Sequence, residues 1–516
     1  MLTILKVIAE ETRMSTRVEP ARPSHPCVER IVYVTGTEYE QGYQQGYQLA
    51  EEIEFWTKFV WDYVSSVGTR EEILGHIDKY LTTQMKVAPE FLDQVKGITD
   101  GTKAAGNNVT FNDVKLLQWF WTVQSHPTIG CSSFGAWGKA TKDNKPLYTQ
   151  NMDTKAFPWA ISGAIVAHFP NKGHSWFTTG EPGKVAASTG MNSAGLIATI
   201  QYAPTYAQSE SSYGLEGTQI LYMILKDCST IEEAKNIVLN TSRAKAQTYI
   251  FMDTSSRMHI VEATGNANHA VVRKPGDFGE TDFMVATNHF ISPKWREWGY
   301  QTPSPPWGAN GPDDSWTRYH TILKLIEENL ERIDSSVAMN ILACHKYWDG
   351  TNWIDDASTG RTPCHHSLDK TGAMYSDTFS TLYLPESREF WLTHGNPCGN
   401  WPTDRLLGTD GYVKWLIKDS PDAMEAQANA DAASLIVNAT DRLIRGLIHQ
   451  NSKEYLEDAK WHYYEGMIAH TNAKAEKAAN NTLKSLINLG AASSHFAHAQ
   501  AYARYATRKS DSSVKT

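Results

Sequence analysis

The hydrophobic pattern of this chain changes twice, near residue 131 and near residue 420, and these changes limit the folds that it can adopt. Before residue 131, apolar residues recur at helical spacing, as in REEILGHIDKYL and NDVKLLQWFWTV. From residue 131 to about 396, short β-like runs such as GLIATIQYA and MHIVEA alternate with Gly, Asn, Asp or Pro turns. Long helical periodicity returns after residue 420.

This order of patterns predicts an α+β protein with three parts. Strands with helices grouped before, between and after them favour layered antiparallel sheets over a series of βαβ units. We expect a helical N-terminal part of residues 1–130, a strand-rich core of residues 131–420 and a helical C-terminal extension of residues 421–516. Further helices are expected within the core at residues 218–226, 231–240 and 315–330.

Composition limits the partners and the location of the chain. Its 516 residues, 41% of them hydrophobic, are enough to bury a large core. The net charge of -9 comes from 57 acidic and 48 basic residues that are scattered, without a basic block for nucleic acid. Acidic residues appear too early for a secretory signal, and no run approaches the roughly 18 apolar residues of a membrane span. We therefore expect a cytoplasmic protein without nucleic-acid or membrane partners.

The cysteines predict free thiols and no metal or other cofactor. Six cysteines in so long a chain show no C-x-x-C pair and no metal-ligand spacing. Cys228 and Cys344 end apolar helical stretches, which is typical of core packing. Cys131 differs, because Gly130 precedes it and two serines follow it at the start of the first predicted strand.

A thiol in the position of Cys131 can attack the carbonyl of its own preceding peptide bond. Gly130 offers that attack an unobstructed partner. Hydrolysis of the resulting thioester would leave Cys131 as a new N-terminus. Its α-amino group, with a pKa of about 7.7 to 8.0, could then act as the base for its own thiol. The sequence therefore predicts self-cleavage between Gly130 and Cys131.

A series of short blocks carries a resemblance to a known family over residues 30–400. In order, they are GTEYEQGYQQGYQLAEEI, GCSS, QNMD, GMNSAGL, ATNHFISP, SWTRYHTI and FSTLYLPESREFWLTHGNPC. They resemble the peptidase C45 family of acyl-coenzyme A:6-aminopenicillanic acid acyltransferases, which belong to the N-terminal-nucleophile (Ntn) hydrolases. The resemblance implies a four-layer αββα sandwich, matured into chains 1–130 and 131–516 that remain associated. It also implies a small N-acyl substrate whose C–N amide bond is cleaved through an acyl-thioester.

The resemblance assigns roles to single residues. Cys131 matches the nucleophile, and Asp153 matches the aspartate that binds near the new amino terminus, where a carboxylate would stabilise the protonated amine. Asn288 matches the oxyanion-hole amide, a donor whose loss costs about 2.7 to 4 kcal/mol of transition-state stabilisation. Ser133 matches a small hydroxyl residue two positions after the nucleophile. Asn151 is expected to shape the turn beside Asp153.

One block departs from the family pattern. Members commonly carry an arginine late in the catalytic chain, and the nearest match here is TPCHHSLD, with His365 at the expected position. A histidine there would change the charge that the pocket prefers in its substrate.

Other classes of function stay open at this point. A conventional cysteine hydrolase would pair Cys131 with a histidine such as His289, His345 or His394. A phospholipase-B-like enzyme would use the same nucleophile on esters, and a noncatalytic member would use the fold for binding. The sequence names neither the acyl donor nor the acceptor, and the helical tail could pack on its own core or form a homo-oligomer.

Overall fold

A computed structural model describes most of the chain. The described residues are 30–123, 129–155, 164–203, 213–255, 257–300, 314–355, 360–364, 366–368, 374–398, 412–445 and 453–513.

Helices occur in three groups, before, within and after the strand-rich part. In chain order they are α1 (Glu38–Gln48), α2 (Ala50–Val64), α3 (Arg70–Val87), α4 (Glu90–Ala104), α5 (Phe111–Val123), α6 (Gly217–Asp227), α7 (Ile231–Asn240), α8 (Lys294–Glu297), α9 (Asp314–Glu328), α10 (Ser335–Leu342), α11 (Pro421–Ile444), α12 (Lys453–Ala478) and α13 (Thr482–Ser513). The helices predicted within the core correspond to α6, α7 and α9, with ends that differ by at most a few residues.

The strands are mostly short. In chain order they are β1 (Arg30–Gly36), β2 (Ile129–Gly138), β3 (Asn144–Lys155), β4 (Ala164–Pro170), β5 (Trp176–Gly180), β6 (Thr189–Asn192), β7 (Ile197–Tyr202), β8 (Gln247–Met252), β9 (Met258–Ala263), β10 (Ala270–Arg273), β11 (Phe283–Ala286), β12 (Lys346–Trp348), β13 (Trp353–Asp355), β14 (His366–Leu368), β15 (Met374–Leu384), β16 (Glu389–His394) and β17 (Val413–Leu416).

The strands form two large sheets and one small hairpin. The first sheet has the order β1-β4-β5-β6-β7-β8-β9-β10, and only its β1–β4 pair is parallel. The second sheet has the antiparallel order β11-β2-β3-β15-β16-β17, with β14 also paired to β15. Strand β1 lies before residue 131, so the N-terminal part, expected to be helical, also contributes an edge strand to the first sheet.

The two sheets pack face to face, with helices on both outer sides. Their inner faces share one apolar cluster, which includes Tyr33 and Ile250 of the first sheet and Tyr148 and Leu392 of the second. Helices α1 to α7 cover the outer face of the first sheet. Helices α9 and α10 cover the outer face of the second sheet. This arrangement confirms the predicted four-layer αββα sandwich.

The N-terminal helices show why the entry motif is rich in glycine. Helix α1 crosses α4 so closely that a Cβ at Gly42 would lie 2.1 Å from the carbonyl oxygen of Gln94. A Cβ at Gly46 would meet the carbonyl oxygen of Ile98 at the same distance. No side chain fits between backbones at this separation, so both positions require glycine.

The C-terminal helices pack on the edges of both sheets. Helix α13 lies against β1 and β17, which are edge strands. Its Ser494 hydroxyl accepts a hydrogen bond from the Ile31 backbone nitrogen at 3.1 Å, and Tyr33 donates to Ser493 at 2.8 Å. The extension therefore covers strand edges that would otherwise be exposed. Among the described helices, none has both the length and the apolar character that crossing a membrane requires.

Strand β11 ends at Ala286, so Asn288 and His289 lie in the loop that follows it. This loop is what allows Asn288 to turn towards Cys131.

Candidate active site

Cys131 lies near the start of β2, an interior strand of the second sheet. It pairs with Met152 of β3, while Gly130 pairs with Asp153. The Cys131 side chain faces the first sheet and is 3% exposed. A Cβ at Gly130 would lie 2.7 Å from Asp153 Oδ2, so this close approach of a carboxylate requires glycine before the cysteine.

A cavity of about 540 Å³, measured to its open mouth, reaches Cys131 from the side of the N-terminal helices. The lining residues are Trp121, Met152, Ser188, Ile200, Tyr202, Thr218 and Gln247 together with the charged residues Glu181, Lys184, Glu216 and Lys245.

Three charged residues of the cavity interact with Trp121 or with one another. Trp121 donates a hydrogen bond from Nε1 to Glu181 Oε1 at 2.7 Å, and Lys184 Nζ lies 3.8 Å from the same carboxylate oxygen. Lys245 donates to the Trp121 carbonyl oxygen. Burial lowers the pKa of Lys245 to about 8, although Glu216 opposes that shift. Lys245 is therefore the amine in the cavity that is most readily deprotonated near neutral pH.

Asn288 contacts both the backbone and the thiol of Cys131. Its Oδ1 accepts a hydrogen bond from the Cys131 backbone nitrogen at 2.7 Å, and its Nδ2 donates to the Tyr202 carbonyl oxygen at 2.9 Å. Burial, followed by the charge of Asp153, raises the pKa of the Cys131 thiol to about 12. Hydrogen bonds from the Asn288 side chain and the Tyr202 backbone oppose this increase, so two donors face Sγ.

Arg318, on α9, is the site residue that the sequence analysis missed. Its Nη1 donates to the Cys131 carbonyl oxygen at 2.5 Å and to Ser132 Oγ at 2.9 Å, and its Nη2 donates to Asn288 Oδ1 at 2.9 Å. This arginine lies within SWTRYHTI, a block already recognised for its resemblance to the family. His365, the residue expected at the arginine position, lies outside the described residues.

Asp153 lies on the opposite side of β3 from the cavity, beside Gly130. Its Oδ2 is 3.7 Å from Arg318 Nη1, and both side chains are buried. Asp377 of β15 is its cross-strand neighbour and shares a side-chain hydrogen bond with it. Burial, followed by the charge of Asp153, raises the pKa of Asp377 well above its usual range. Asp377 therefore favours its neutral form beside Asp153, which faces Arg318.

Ser133 and Asn151 lie in the same sheet and contact neighbouring segments. The Ser133 hydroxyl is buried 2.8 Å from the side-chain amide of Gln201, in the apolar space between the sheets. Asn151 lies within β3 and not in a turn. It donates to the carbonyl oxygens of Leu342 and Pro363 at 2.9 Å and 2.8 Å. Asn151 thus anchors two loops on the outer face of the sheet.

Neither His289 nor His345 contacts Cys131 in the part of the chain that the structure describes. His289 Nδ1 lies 2.8 Å from Ser315 Oγ, and burial lowers its pKa to about 3. The side chain of His394 lies outside the described residues. The conventional pairing of a thiol with His289 or His345 therefore has no geometric support.

His345 instead meets two cysteines. The potential ligand atoms of His345, Cys364 and Cys398 all lie within 4.8 Å of one another, close enough to hold a metal ion. The sequence shows no metal-ligand spacing because these three residues are far apart along the chain, and only the fold brings them together.

Fold and site agree with the class that the sequence blocks predict. A four-layer αββα sandwich carries a cysteine directly after a glycine at the start of an interior strand. A carboxylate, an amide and a guanidinium surround the backbone of that cysteine. This is the architecture expected from the resemblance of the sequence blocks to the Ntn hydrolases.

Within that class, the chain matches one family. The sequence model of the acyl-coenzyme A:6-aminopenicillanic acid acyl-transferase family matches residues 140–356, a segment that contains Asp153, Asn288 and Arg318. This match confirms the resemblance seen in the motifs. An uncharacterized protein from Archaeoglobus fulgidus is 24% identical over 341 residues, which are 59% of this chain. The aligned segment spans only 56% of that relative's length.

Several solved structures are similar at low sequence identity. A variant of conjugated bile acid hydrolase from Clostridium perfringens is 13% identical, with a TM-score of 0.35, and the match covers 51% of this chain and 89% of that one. An N-acylethanolamine-hydrolyzing acid amidase from Caenorhabditis elegans is 15% identical, with a TM-score of 0.33 and coverage of 49% and 93%. Penicillin V acylase from Agrobacterium tumefaciens is also 15% identical, with a TM-score of 0.31 and coverage of 51% and 83%.

Proposed function

We propose that this chain is a self-processing amidohydrolase or acyltransferase in which Cys131 cleaves the Gly130–Cys131 bond and then carries acyl groups as a thioester. The environment of the Cys131 nitrogen is the observation that carries the proposal. Asn288 Oδ1 accepts a hydrogen bond from this nitrogen at 2.7 Å, and the Asp153 carboxylate lies beside the preceding residue. The same two groups would hold a free α-ammonium after cleavage.

Maturation requires only the residues next to the scissile bond and one water molecule. Sγ of Cys131 attacks the carbonyl carbon of Gly130, the C–S bond forms, the C–N bond breaks, and the nitrogen takes up the thiol proton. Water then hydrolyses the thioester, which gives a carboxylate on Gly130 and a free thiol on Cys131. The negative charge of Asp153 stabilises the new ammonium group.

Turnover then uses Cys131 as nucleophile and its own amine as base. The α-amine accepts the thiol proton while Sγ attacks the acyl carbonyl of the substrate. Asn288 Nδ2 and the Tyr202 backbone N–H already face Sγ, so they are placed to donate to the oxyanion. The leaving amine takes the proton back, and water or a second amine cleaves the acyl-thioester.

The cavity indicates an N-acyl substrate whose acyl group is at least partly apolar. Trp121, Met152 and Ile200 contribute apolar surface around Cys131, and Lys184 and Lys245 contribute amino groups to the same lining. The description of the matching family, which names an acyl transfer, supports the same substrate class. An ester substrate would need the same nucleophile, so a panel of matched amides and esters should separate the two chemistries.

The two chains of the mature enzyme would stay together. Strand β1 of the N-terminal chain pairs with β4 along its whole length, and α13 of the C-terminal chain binds it from the other side. Residues 1–130 would thus stay bound to the core of residues 131–420. Residues 421–516 would help to hold these two parts together.

Intact-mass spectrometry of the purified protein tests the proposal. We expect two fragments, one ending at Gly130 and one starting at Cys131, and activity that releases the amine from N-acyl substrates. Cys131→Ala should give a single uncleaved chain without activity. Cys228→Ala is the matched control, because Cys228 is equally buried and lies far from the site at the end of α6. Active wild-type protein with an intact bond between Gly130 and Cys131 would refute the mechanism.

A further inference from the structure

A second group of reactive side chains lies on the outer face of the second sheet. His345 follows α10, Cys364 precedes β14, and Cys398 follows β16. Their potential ligand atoms all lie within 4.8 Å of one another. The three residues come from three separate segments, so their convergence is a product of the fold and not of local sequence.

The carboxyl group of Asp377 lies beside this group and forms a side-chain hydrogen bond with the Cys364 thiol. Cys364 and Asp377 are fully buried, and His345 and Cys398 are only partly so. Two sulfur atoms and one imidazole nitrogen therefore meet within one small volume, next to a buried carboxyl group.

Hydrogen bonds fix the segments that carry these side chains. Asn151 of β3 donates one hydrogen bond to Leu342, at the end of α10, and another to Pro363, next to Cys364. Asn396, close to Cys398, accepts a hydrogen bond from the Asp377 backbone nitrogen at 2.9 Å. The strands and loops around the group are thus held in place independently of anything bound to it, as a preformed site requires.

We propose that His345, Cys364 and Cys398 bind one Zn²⁺ ion. Zinc prefers tetrahedral sites of thiolate, imidazole and carboxylate ligands, with Zn–S near 2.3 Å and Zn–N near 2.0 Å, which places neighbouring ligand atoms about 3.5 to 3.8 Å apart. Separations of up to 4.8 Å need only a closure of about 1 Å to meet this geometry. Two thiolates in the set favour zinc over magnesium or calcium, which prefer oxygen ligands.

The zinc site would stabilise the catalytic centre from the outer face of the second sheet. Asp377 is the cross-strand neighbour of Asp153, and Asp153 lies against Gly130. A metal ion bound to Cys364 would fix the sulfur atom that is hydrogen-bonded to Asp377, and Asp377 is the side chain against which Asp153 rests. The zinc would therefore act as a positioning element, and none of its ligands would touch the substrate.

The test uses the Cys131→Ala precursor, because its single chain carries no catalytic thiol that could bind metal. Protein produced with zinc in the medium and freed of loose metal on a desalting column should contain about one zinc ion per chain by elemental mass spectrometry. Replacement by Co²⁺ should give a thiolate-to-cobalt charge-transfer band. Cys398→Ser and His345→Ala, both at partly buried positions, should each lower the zinc content about tenfold or more.

Cys228→Ser serves as the control and should retain its zinc, since Cys228 lies far from the group at the end of α6. Near-ultraviolet circular dichroism of each variant shows whether loss of zinc accompanies loss of the fold. Zinc-free wild-type precursor whose Co²⁺ form lacks the thiolate band would overturn the proposal. A disulfide between Cys364 and Cys398 in protein purified without reductant and with zinc present would also overturn it. Because metal content is read in an uncleaved, inactive chain, these results are independent of the proposed self-cleavage.

Discussion

Replacement of Arg318 is the sharpest perturbation that the structure suggests. This buried guanidinium donates four hydrogen bonds and lies 3.7 Å from Asp153. The acceptors are the carbonyl oxygens of Cys131 and Gly360, the Ser132 hydroxyl and Asn288 Oδ1. Removal of one partner from a buried ion pair costs about 3 to 5 kcal/mol, because the remaining charge loses its counter-charge. If the transition state bears that cost, Arg318→Met should slow self-cleavage and turnover by roughly 10² to 10⁴.

Arg318→Lys separates the effect of the positive charge from the effect of the planar guanidinium group with its paired donors. Lysine keeps the positive charge opposite Asp153 and loses the fixed pair of donors. Loss of about one charge-assisted hydrogen bond, worth about 1.5 to 3 kcal/mol, should slow both reactions by roughly 10 to 10². The Met variant should therefore be slower than the Lys variant, and both slower than wild type.

Self-cleavage is measured from band intensities after refolding of freshly denatured precursor, and turnover from release of the amine product. Arg361→Met is the control, since Arg361 pairs with Asp314 at 3.4 Å and its side chain is 28% exposed. A double variant that also carries Asp153→Asn tests whether Arg318 and Asp153 act as a unit. If they do, the double variant is no slower than the slower of the two single variants. A rate for Arg318→Met within about threefold of wild type would refute the reasoning.

Three further predictions concern other residues of the site. Asp153→Asn removes the counter-charge of the new ammonium, so cleavage and turnover should both fall, and normal single-turnover rates would reduce Asp153 to a structural role. Asn288→Ala should lower kcat by roughly 10² to 10³ with a smaller change in KM, whereas a nearly unchanged kcat would remove Asn288 from the oxyanion hole. Lys245, with its pKa lowered to about 8 by burial, should be the lysine first modified by an amine-acylating reagent. Because the neutral amine reacts, its modification rate should rise up to about pH 8 and then level off, and peptide mapping that finds no preference for Lys245 would contradict this.

Local patterns in the sequence determined much of this protein. Helical spacing located α6, α7 and α9 almost to the residue, because apolar periodicity and capping residues act within one or two turns. The glycine and cysteine at residues 130 and 131 indicated self-cleavage chemistry, since that chemistry involves neighbouring atoms. The ordered blocks indicated the αββα sandwich through their resemblance to a family, and the two packed sheets agree with it.

Only the tertiary structure decided which distant side chains meet. Arg318 reaches the Cys131 backbone because α9 packs on the outer face of the second sheet, a contact that no local pattern encodes. Asn288 turns its oxygen towards the Cys131 nitrogen because β11 ends two residues earlier. His345 joins Cys364 only where separate loops fold onto the same sheet. Local propensity acts over a few residues, whereas these contacts depend on strand pairing and layer packing across the whole chain, which is why they appear only in the folded molecule.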